Sequence, residues 1–225
     1  MNRHHPHQEH QHGILIQDAR RYEWAARIGM WGRRRQVYDG LVALAGIGPG
    51  DRVLDVGCGT GYLTRRAARA VGPIGVAVGI DPSASVIGYA ATRSPANCTF
   101  QVAGAQALPH PDGTFDAVVS SLAIHHLPPD EQVTALREMR RVLRPGGRLL
   151  IADFRAEPRH HRLAGLFVGL ARRARRHHPM PDLAGLIREA GFTPTGAGDR
   201  WPALHYVQAR RPDDDVSVAT EHSRP

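Results

Sequence analysis

The chain has 225 residues, 42% of them apolar, which suits one domain that buries a sheet between two helical layers and would be cramped for two. Its formal net charge is +8, and because the sequence has no Lys all 29 basic residues are Arg, which excludes Schiff-base lysine chemistry and a P-loop lysine. No apolar run is long enough for a membrane-spanning helix, and Cys58 and Cys98 lack the paired spacing of a disulfide framework or zinc knuckle, so no metal site is expected.

Residues 1–17 are rich in His (His4, His5, His7, His10, His12) without periodic apolar positions, which predicts a disordered tail. They lack the apolar core of an export signal, so a cytoplasmic location is expected. From Asp18 to Leu44 the positions Tyr22, Ala25, Ala26, Ile28, Val37, Leu41 and Leu44 recur at helical spacing, interrupted near Gly29 and Gly32, and predict two helices. A turn at Gly46–Asp51 leads into a buried strand over Arg52–Val56. There follow a helix over Tyr62–Val71, a strand over Val76–Ile80, a helix over Ser83–Thr92, and strands over Thr99–Val102 and Phe115–Ser120. A helix over Asp130–Leu143 is expected to stop at Pro145-Gly146-Gly147 before a strand over Arg148–Ala152. Strands alternating with helices predict an α/β fold with a parallel sheet.

That alternation breaks at about 155–181. Leu163, Leu166, Phe167 and Leu170 fall on one helical face with Arg172, Arg173, Arg175 and Arg176 beyond it, the pattern of a lid over a site. Its Arg-rich stretch 159–176 also suits weak contact with a membrane or an acidic surface. A further helix over Asp182–Ala190 ends at Gly191, the last strands are expected within Trp201–Arg210, and 213–225 is a polar tail. The folded domain is thus expected over 18–212.

The chemistry concentrates where Val53–Val56 runs into Gly57-x-Gly59-x-Gly61 and then a helix. Three glycines at a strand-to-helix turn let a ligand approach the backbone, and the helix end presents unpaired amides. A dinucleotide fold would place G-x-G-x-x-G here to hold a pyrophosphate. This chain has G-x-G-x-G with Asp55 two residues before the first glycine, which speaks against an NAD-dependent dehydrogenase. Asp81, at the end of the second strand, can accept both hydroxyls of a ribose, and with Pro82 behind it can also cap the following helix.

Five ordered segments together resemble the class I S-adenosylmethionine (SAM)-dependent methyltransferases, in particular the type 11 group with its ubiquinone and menaquinone C-methyltransferase-like enzymes. They are Val53–Gly61, Gly79–Ser83, Ala107–Asp116, His125-His126-Leu127 and Arg141–Leu149, within a resemblance spanning about 36–212. The resemblance implies a Rossmann-like, doubly wound seven-stranded sheet, mostly parallel with one antiparallel strand and with helices on both faces. Glu189-Ala190-Gly191-Phe192 resembles the lead into its final hairpin.

It further implies SAM as cofactor and a small-molecule methyl acceptor, with no stable nucleic acid partner. Asp55 and the backbone of Gly57, Cys58, Gly59 and Gly61 would hold the methionine end. Asp81 and Pro82 would border the ribose, and Ala105, Gln106 and Ser121 complete the set. One position departs: family members often carry an acid in a Gly-Asp-Ala element that reaches the adenine amino group, and here the stretch reads Ala103-Gly104-Ala105-Gln106. Losing one charge-assisted hydrogen bond costs on the order of 1.5–3 kcal/mol, which would weaken SAM about tenfold to a hundredfold unless Ala105 backbone or the Gln106 side chain replaces it. His125 and His126 follow the fourth strand at the ligand edge of the sheet and are the candidate proton-transfer residues. Tyr22 and Trp31 could face the sulfonium, and Asp153 could face the acceptor. The alternatives are a SAM-binding regulatory protein without turnover, suggested by Gly104, and an RNA methyltransferase, suggested by a pI near 10.6.

Overall fold

Arg52–Val56, strand β1, is apolar except at Arg52 and Asp55, and four of its five residues are buried, as a strand covered on both faces requires. The structure, a computed structural model, describes residues 32–154 and 182–213. Ahead of β1 lies α1 (Arg34–Leu44). After it come α2 (Tyr62–Val71), β2 (Val76–Asp81), α3 (Ala84–Ala91), β3 (Cys98–Val102), β4 (Phe115–Ser121), a 3-10 turn at Ile124–His126, α4 (Pro129–Val142), β5 (Leu143–Phe154), α5 (Leu183–Glu189), β6 (Thr193–Arg200) and β7 (Leu204–Arg210). The His-rich tail, Tyr22, Trp31, the expected lid at 155–181 with its Arg-rich stretch, and residues 214–225 lie outside the described residues.

The strands form one sheet in the order β3-β2-β1-β4-β5-β7-β6. Strands β1 to β5 pair in parallel, while β7 runs antiparallel to both β5 and β6. This is the doubly wound sheet with one antiparallel strand that the resemblance implies. The chain builds outward from β1 to β3 and then crosses back to lay β4 on the other side of β1. A crevice therefore opens beyond the C-terminal ends of β1 and β4, where the winding reverses.

A period of two distributes the strand residues between two cores. Val53, Ala77, Val119 and Leu150 face one, built with Leu41 of α1 and Leu63 and Ala67 of α2. Leu54, Val78, Val118 and Leu149 face the other, built with Leu136 and Met139 of α4 and Ile187 of α5. Helix α2 buries Leu63, Thr64, Ala67, Ala68 and Val71, an i, i+4, i+8 stripe that leaves its arginines outward. Pro129 opens α4 with Asp130 and Glu131 in its first turn and Arg140 and Arg141 in its last, each sign matched to the helix dipole.

Two expectations at element ends need correction. Pro145-Gly146-Gly147 does not separate a helix from a strand, since β5 begins at Leu143 and runs through it. Leu143 pairs with Phe115, the register shifts between Phe115 and Ala117, and Gly146 at φ +69° absorbs the irregularity. The last strands also start earlier than Trp201: Thr193–Arg200 is β6, and Trp201 belongs to the turn before β7.

Arginine forks tie loops to this frame. Arg141 donates to the Glu138 carboxylate, to Asp112 Oδ1 at 2.7 Å and to the carbonyls of His110 and Leu108 at 2.8 and 3.0 Å, fastening the loop before β4 to α4. Arg211 Nη1 donates to the carbonyls of Arg140, Arg141 and Leu143 at 3.3, 3.2 and 2.6 Å, at the orphan end of α4. Among the described residues no helix is long and apolar enough to cross a membrane, and no group of three or more His, Cys, Asp or Glu is placed to hold a metal ion.

Candidate cofactor site

Past Val56 the backbone turns sharply, and Gly57, Gly59 and Gly61 take φ values of +72°, +53° and +74°. The amides of Gly57 and Cys58 both donate to the Ile80 carbonyl, at 2.9 and 2.8 Å, which folds the turn over the end of β2. A Cβ on Gly57 would stand 2.4 Å from Ala123 Cβ, so the first glycine lets the turn meet the loop after β4. A Cβ on Gly61 would strike the Phe100 ring at 2.6 Å and Ala90 at 3.0 Å. The third glycine therefore seats α2 against β3 and α3, and does not line the crevice.

Asp81 sits at the end of β2 with both carboxylate oxygens engaged. Oδ2 accepts from the Gly59 amide at 3.0 Å and Oδ1 from the Ser83 amide at 2.9 Å, so it holds the glycine turn and the entry to α3 at once. Burial raises its pKa above the ordinary carboxylate value, opposed by those two amides. Each oxygen keeps a lone pair for a hydroxyl.

Asp55 projects from β1 beneath the turn, only 2% exposed, and accepts from Thr64 Oγ1 at 2.6 Å. Burial pushes its carboxyl up to about 7, against the Thr64 hydrogen bonds and with a smaller push from Asp81. The folded chain thus binds this proton more tightly than the unfolded chain, where an Asp titrates near ~3.9. The stabilisation is complete below that pH and is lost as pH rises through about 7. Asp55→Asn is expected to flatten this slope and raise the thermal midpoint at pH 8 by about 2–4 °C for each kcal/mol recovered. Calorimetry from pH 4 to 8 reads it, and a variant that loses as much stability as the native chain over that range would clear Asp55 as the cause.

Between the turn, the loop after β3 and the loop after β4 lies a cavity of about 620 Å³, within the size of small-ligand sites. Asp55, Gly57, Cys58, Gly59, Asp81, Pro82, Ala105, Gln106, Ser121 and His126 all line it, so ten of the sequence candidates converge on one space. Gly61 and His125 stand behind the wall. Ser121 Oγ is buried at the cavity with no hydrogen-bond partner among the described residues, a polar atom that a bound ligand can satisfy. Its neighbour Leu122 has φ +58°, a left-handed conformation held by its amide to the Ala152 carbonyl at 2.8 Å, with strain stored at the rim.

The His pair is ordered by Asp153, which is fully buried. Asp153 Oδ1 lies 2.6 Å from His125 Nδ1, and Oδ2 accepts from the His125 amide at 3.2 Å. A carboxylate only accepts, so Nδ1 carries a proton toward Asp153. His126 lies 4.0 Å from it, ring centre to ring centre, and presents an open edge to the cavity. Atoms packed round the His126 ring, then the adjoining His125, hold its imidazole below the ordinary value.

Among the wall residues that sequence reasoning missed, four carry an aromatic ring or a charge: Arg34, Tyr38, Tyr62 and Glu131. Arg34 is 6% exposed and its guanidinium stacks 3.9 Å over the Tyr62 ring, placing a cation in the cavity wall beside the start of α2. A buried Arg at the start of α1 is the available signal, and its outward neighbours Arg33 and Arg35 mask it. The set fits SAM: Arg34 and Asp55 for a zwitterionic amino acid, the glycine turn for a close backbone approach, Asp81 for a ribose, and an apolar slot at Pro82, Ala103 and Ala105 for a base.

A family model described as a methyltransferase domain matches residues 53–147. The ubiquinone/menaquinone biosynthesis C-methyltransferase UbiE of Ectopseudomonas mendocina is 42% identical over 118 residues, covering 50% of this chain and 45% of that one. UbiE of Hahella chejuensis is 42% identical over 120 residues, with 49% and 45% covered. The chain spans about half the length of these curated relatives. A SAM-dependent methyltransferase from Aquifex aeolicus superposes with a TM-score of 0.66 at 21% identity, over 86% of this chain and 98% of that one. The [4+2]-cyclase SpnF superposes with a TM-score of 0.62 at 21% identity, over 91% and 89%. With the ordered motifs and the sheet, these matches show that residues 53–147 are similar to a methyltransferase domain and that the described residues share the fold of a solved SAM-dependent methyltransferase.

Proposed function

We propose that this chain binds SAM in the cavity and transfers its methyl group to a small-molecule acceptor. The observation that carries the proposal is the convergence of Asp55, the glycine turn, Asp81 and the Ala103–Gln106 loop on one space at the winding reversal. SAM would supply an electrophilic methyl, whose bond to sulfur breaks as the acceptor bonds to the carbon, with S-adenosylhomocysteine as the leaving group. Arg34 and Asp55 would hold the carboxylate and ammonium of the methionine end, and Asp81 the ribose hydroxyls. Ser121 Oγ offers a hydrogen bond at the cavity wall. Fixing acceptor and methyl in line with water excluded supplies most of the acceleration such a displacement needs.

For an acceptor that must lose a proton, Asp153 orients His125 and the pair shapes the position of His126, whose neutral ring faces the cavity and can take that proton. The UbiE relatives are named as C-methyltransferases, which favours as the attacking centre a carbon made nucleophilic by loss of a proton from itself or from an adjacent hydroxyl. We assign no stable nucleic acid partner, because the segment after β4 reads His125-His126-Leu127 where amino-directed nucleic-acid enzymes carry an Asn-Pro-Pro-Tyr type of sequence.

Calorimetry with SAM and with S-adenosylhomocysteine, followed by labelled methyl transfer over quinols, phenols, amines and lipid precursors, tests the proposal. Micromolar binding and one labelled product are expected, and absence of binding to both compounds would sink it. A second reading is SAM binding without methyl transfer, favoured by Gly104 where an acid is common and by the likeness to a cyclase of the same fold. Labelled transfer to any compound eliminates it.

A further inference from the structure

Gly104 leaves the adenine end of the cavity without the acid that family members often carry there. The structure shows what fills that space. A Cβ built on Gly104 would stand 2.9 Å from Gln106 Oε1, so the amide oxygen of Gln106 occupies the volume that a side chain at 104 would take. Gln106 Nε2 donates to Glu131 Oε2, from the first turn of α4, and both side chains line the cavity.

The two ends of the amide are thereby told apart. A carboxylate only accepts, so the nitrogen of Gln106 must face Glu131 and the oxygen must face Gly104, whichever way an isolated amide would turn. Glu131 sits in the first turn of α4, where the helix dipole favours an acidic side chain. The oxygen it directs is a fixed acceptor beside an apolar slot made by Pro82, Ala103 and Ala105. The slot lies on the β3 side of Asp81, while Asp55 lies on the β1 side, so a nucleoside held at its ribose by Asp81 would lay its base here.

We propose that Gln106 Oε1 accepts a hydrogen bond from the 6-amino group of adenine, and that Glu131 is the positioning residue that selects this amide orientation. The pair takes over from a different element the recognition that an acid at position 104 would perform. It makes the site selective for 6-amino over 6-oxo purines, since a 6-oxo group would bring oxygen against oxygen. This inference rests on the proposal that the cavity holds SAM.

The test compares calorimetric affinities for S-adenosylhomocysteine and S-inosylhomocysteine, which differ only in an amino or oxo group at position 6. The native chain is expected to prefer the amino form about tenfold to a hundredfold. Gln106→Ala should remove that preference, Glu131→Ala should reduce it severalfold by freeing the amide to turn, and Gly104→Asp with Gln106→Ala should restore it. A merely structural role for Glu131 would weaken both ligands equally and leave the ratio unchanged, and that result, or an unchanged ratio in Gln106→Ala, overturns the inference. If Glu131→Ala does not fold, the ratio in Gln106→Ala and its restoration by the double variant still decide. Failure of the native chain to bind either compound overturns the SAM proposal itself, a different outcome from binding without discrimination.

Discussion

Gly57→Ala is expected to lower stability by about 2–5 kcal/mol and to remove SAM binding with it. The new methyl meets two costs. At φ +72° an L-residue other than glycine is strained, by roughly 1–2 kcal/mol. Its Cβ would also stand 2.4 Å from Ala123 Cβ, and relief requires the glycine turn and the loop after β4 to part, an overpacking cost of about 1–3 kcal/mol. That separation tears apart the Gly57 and Cys58 amides from the Ile80 carbonyl and moves two walls of the cavity together. Gly88→Ala is the matched control: it lies in α3 with nothing within 4 Å, and should be neutral or stabilising by up to about 1 kcal/mol. Thermal unfolding and calorimetry on both variants measure the contrast, and equal midpoints would show that the turn tolerates a side chain.

Asp81→Ala should abolish binding of S-adenosylhomocysteine, by about a hundredfold or more, while the chain stays folded. Two hydrogen bonds from hydroxyls to a carboxylate contribute on the order of 3–6 kcal/mol together. The variant also frees the amides of Gly59 and Ser83, so the turn loses the staple that shapes it before the ligand arrives. Asp81→Asn separates the effects. It keeps an oxygen for one amide and places a donor where the other needs an acceptor, so binding should fall nearly as far with less loss of stability. A native-like affinity in Asp81→Ala removes this residue from the site.

Periodicity made most of the fold legible. Arg52–Val56 and Tyr62–Val71 appear in the structure with the ends their sequence predicts, because one is an apolar run of strand length and the other an apolar stripe closed by Gly72. β6 was not legible. Thr193–Arg200 contains Pro194, Gly196, Gly198 and Asp199, which read as turn. It is a strand because β7 supplies its hydrogen bonds, and its glycines leave room for that partner's side chains: a Cβ on Gly196 would touch Gln208 and one on Gly198 would touch Tyr206. The site divides in the same way. Residues near the glycine turn carry a local signal, whereas Arg34 and Glu131 reach the cavity from helix faces whose sequence looks like ordinary solvated charge. Only the packing of α1 and α4 against the sheet edge brings them in.

The forks of Arg141, Arg148 and Arg211 give the absence of lysine a meaning. Arg148 bridges the Gly46 carbonyl and Asp51 Oδ2 at 2.8 and 2.7 Å, and the other two each hold several oxygens at once. A planar guanidinium serves such dispersed acceptors at once, which an ammonium on a flexible stem cannot do. Glu138 and Asp112 raise the pKa of Arg141 further above its already high value. The tie that Arg141 makes between the loop before β4 and α4 therefore keeps its charge in strong alkali. The alkaline limit of the fold falls instead to the buried thiols Cys58 and Cys98, which ionise as the chain opens.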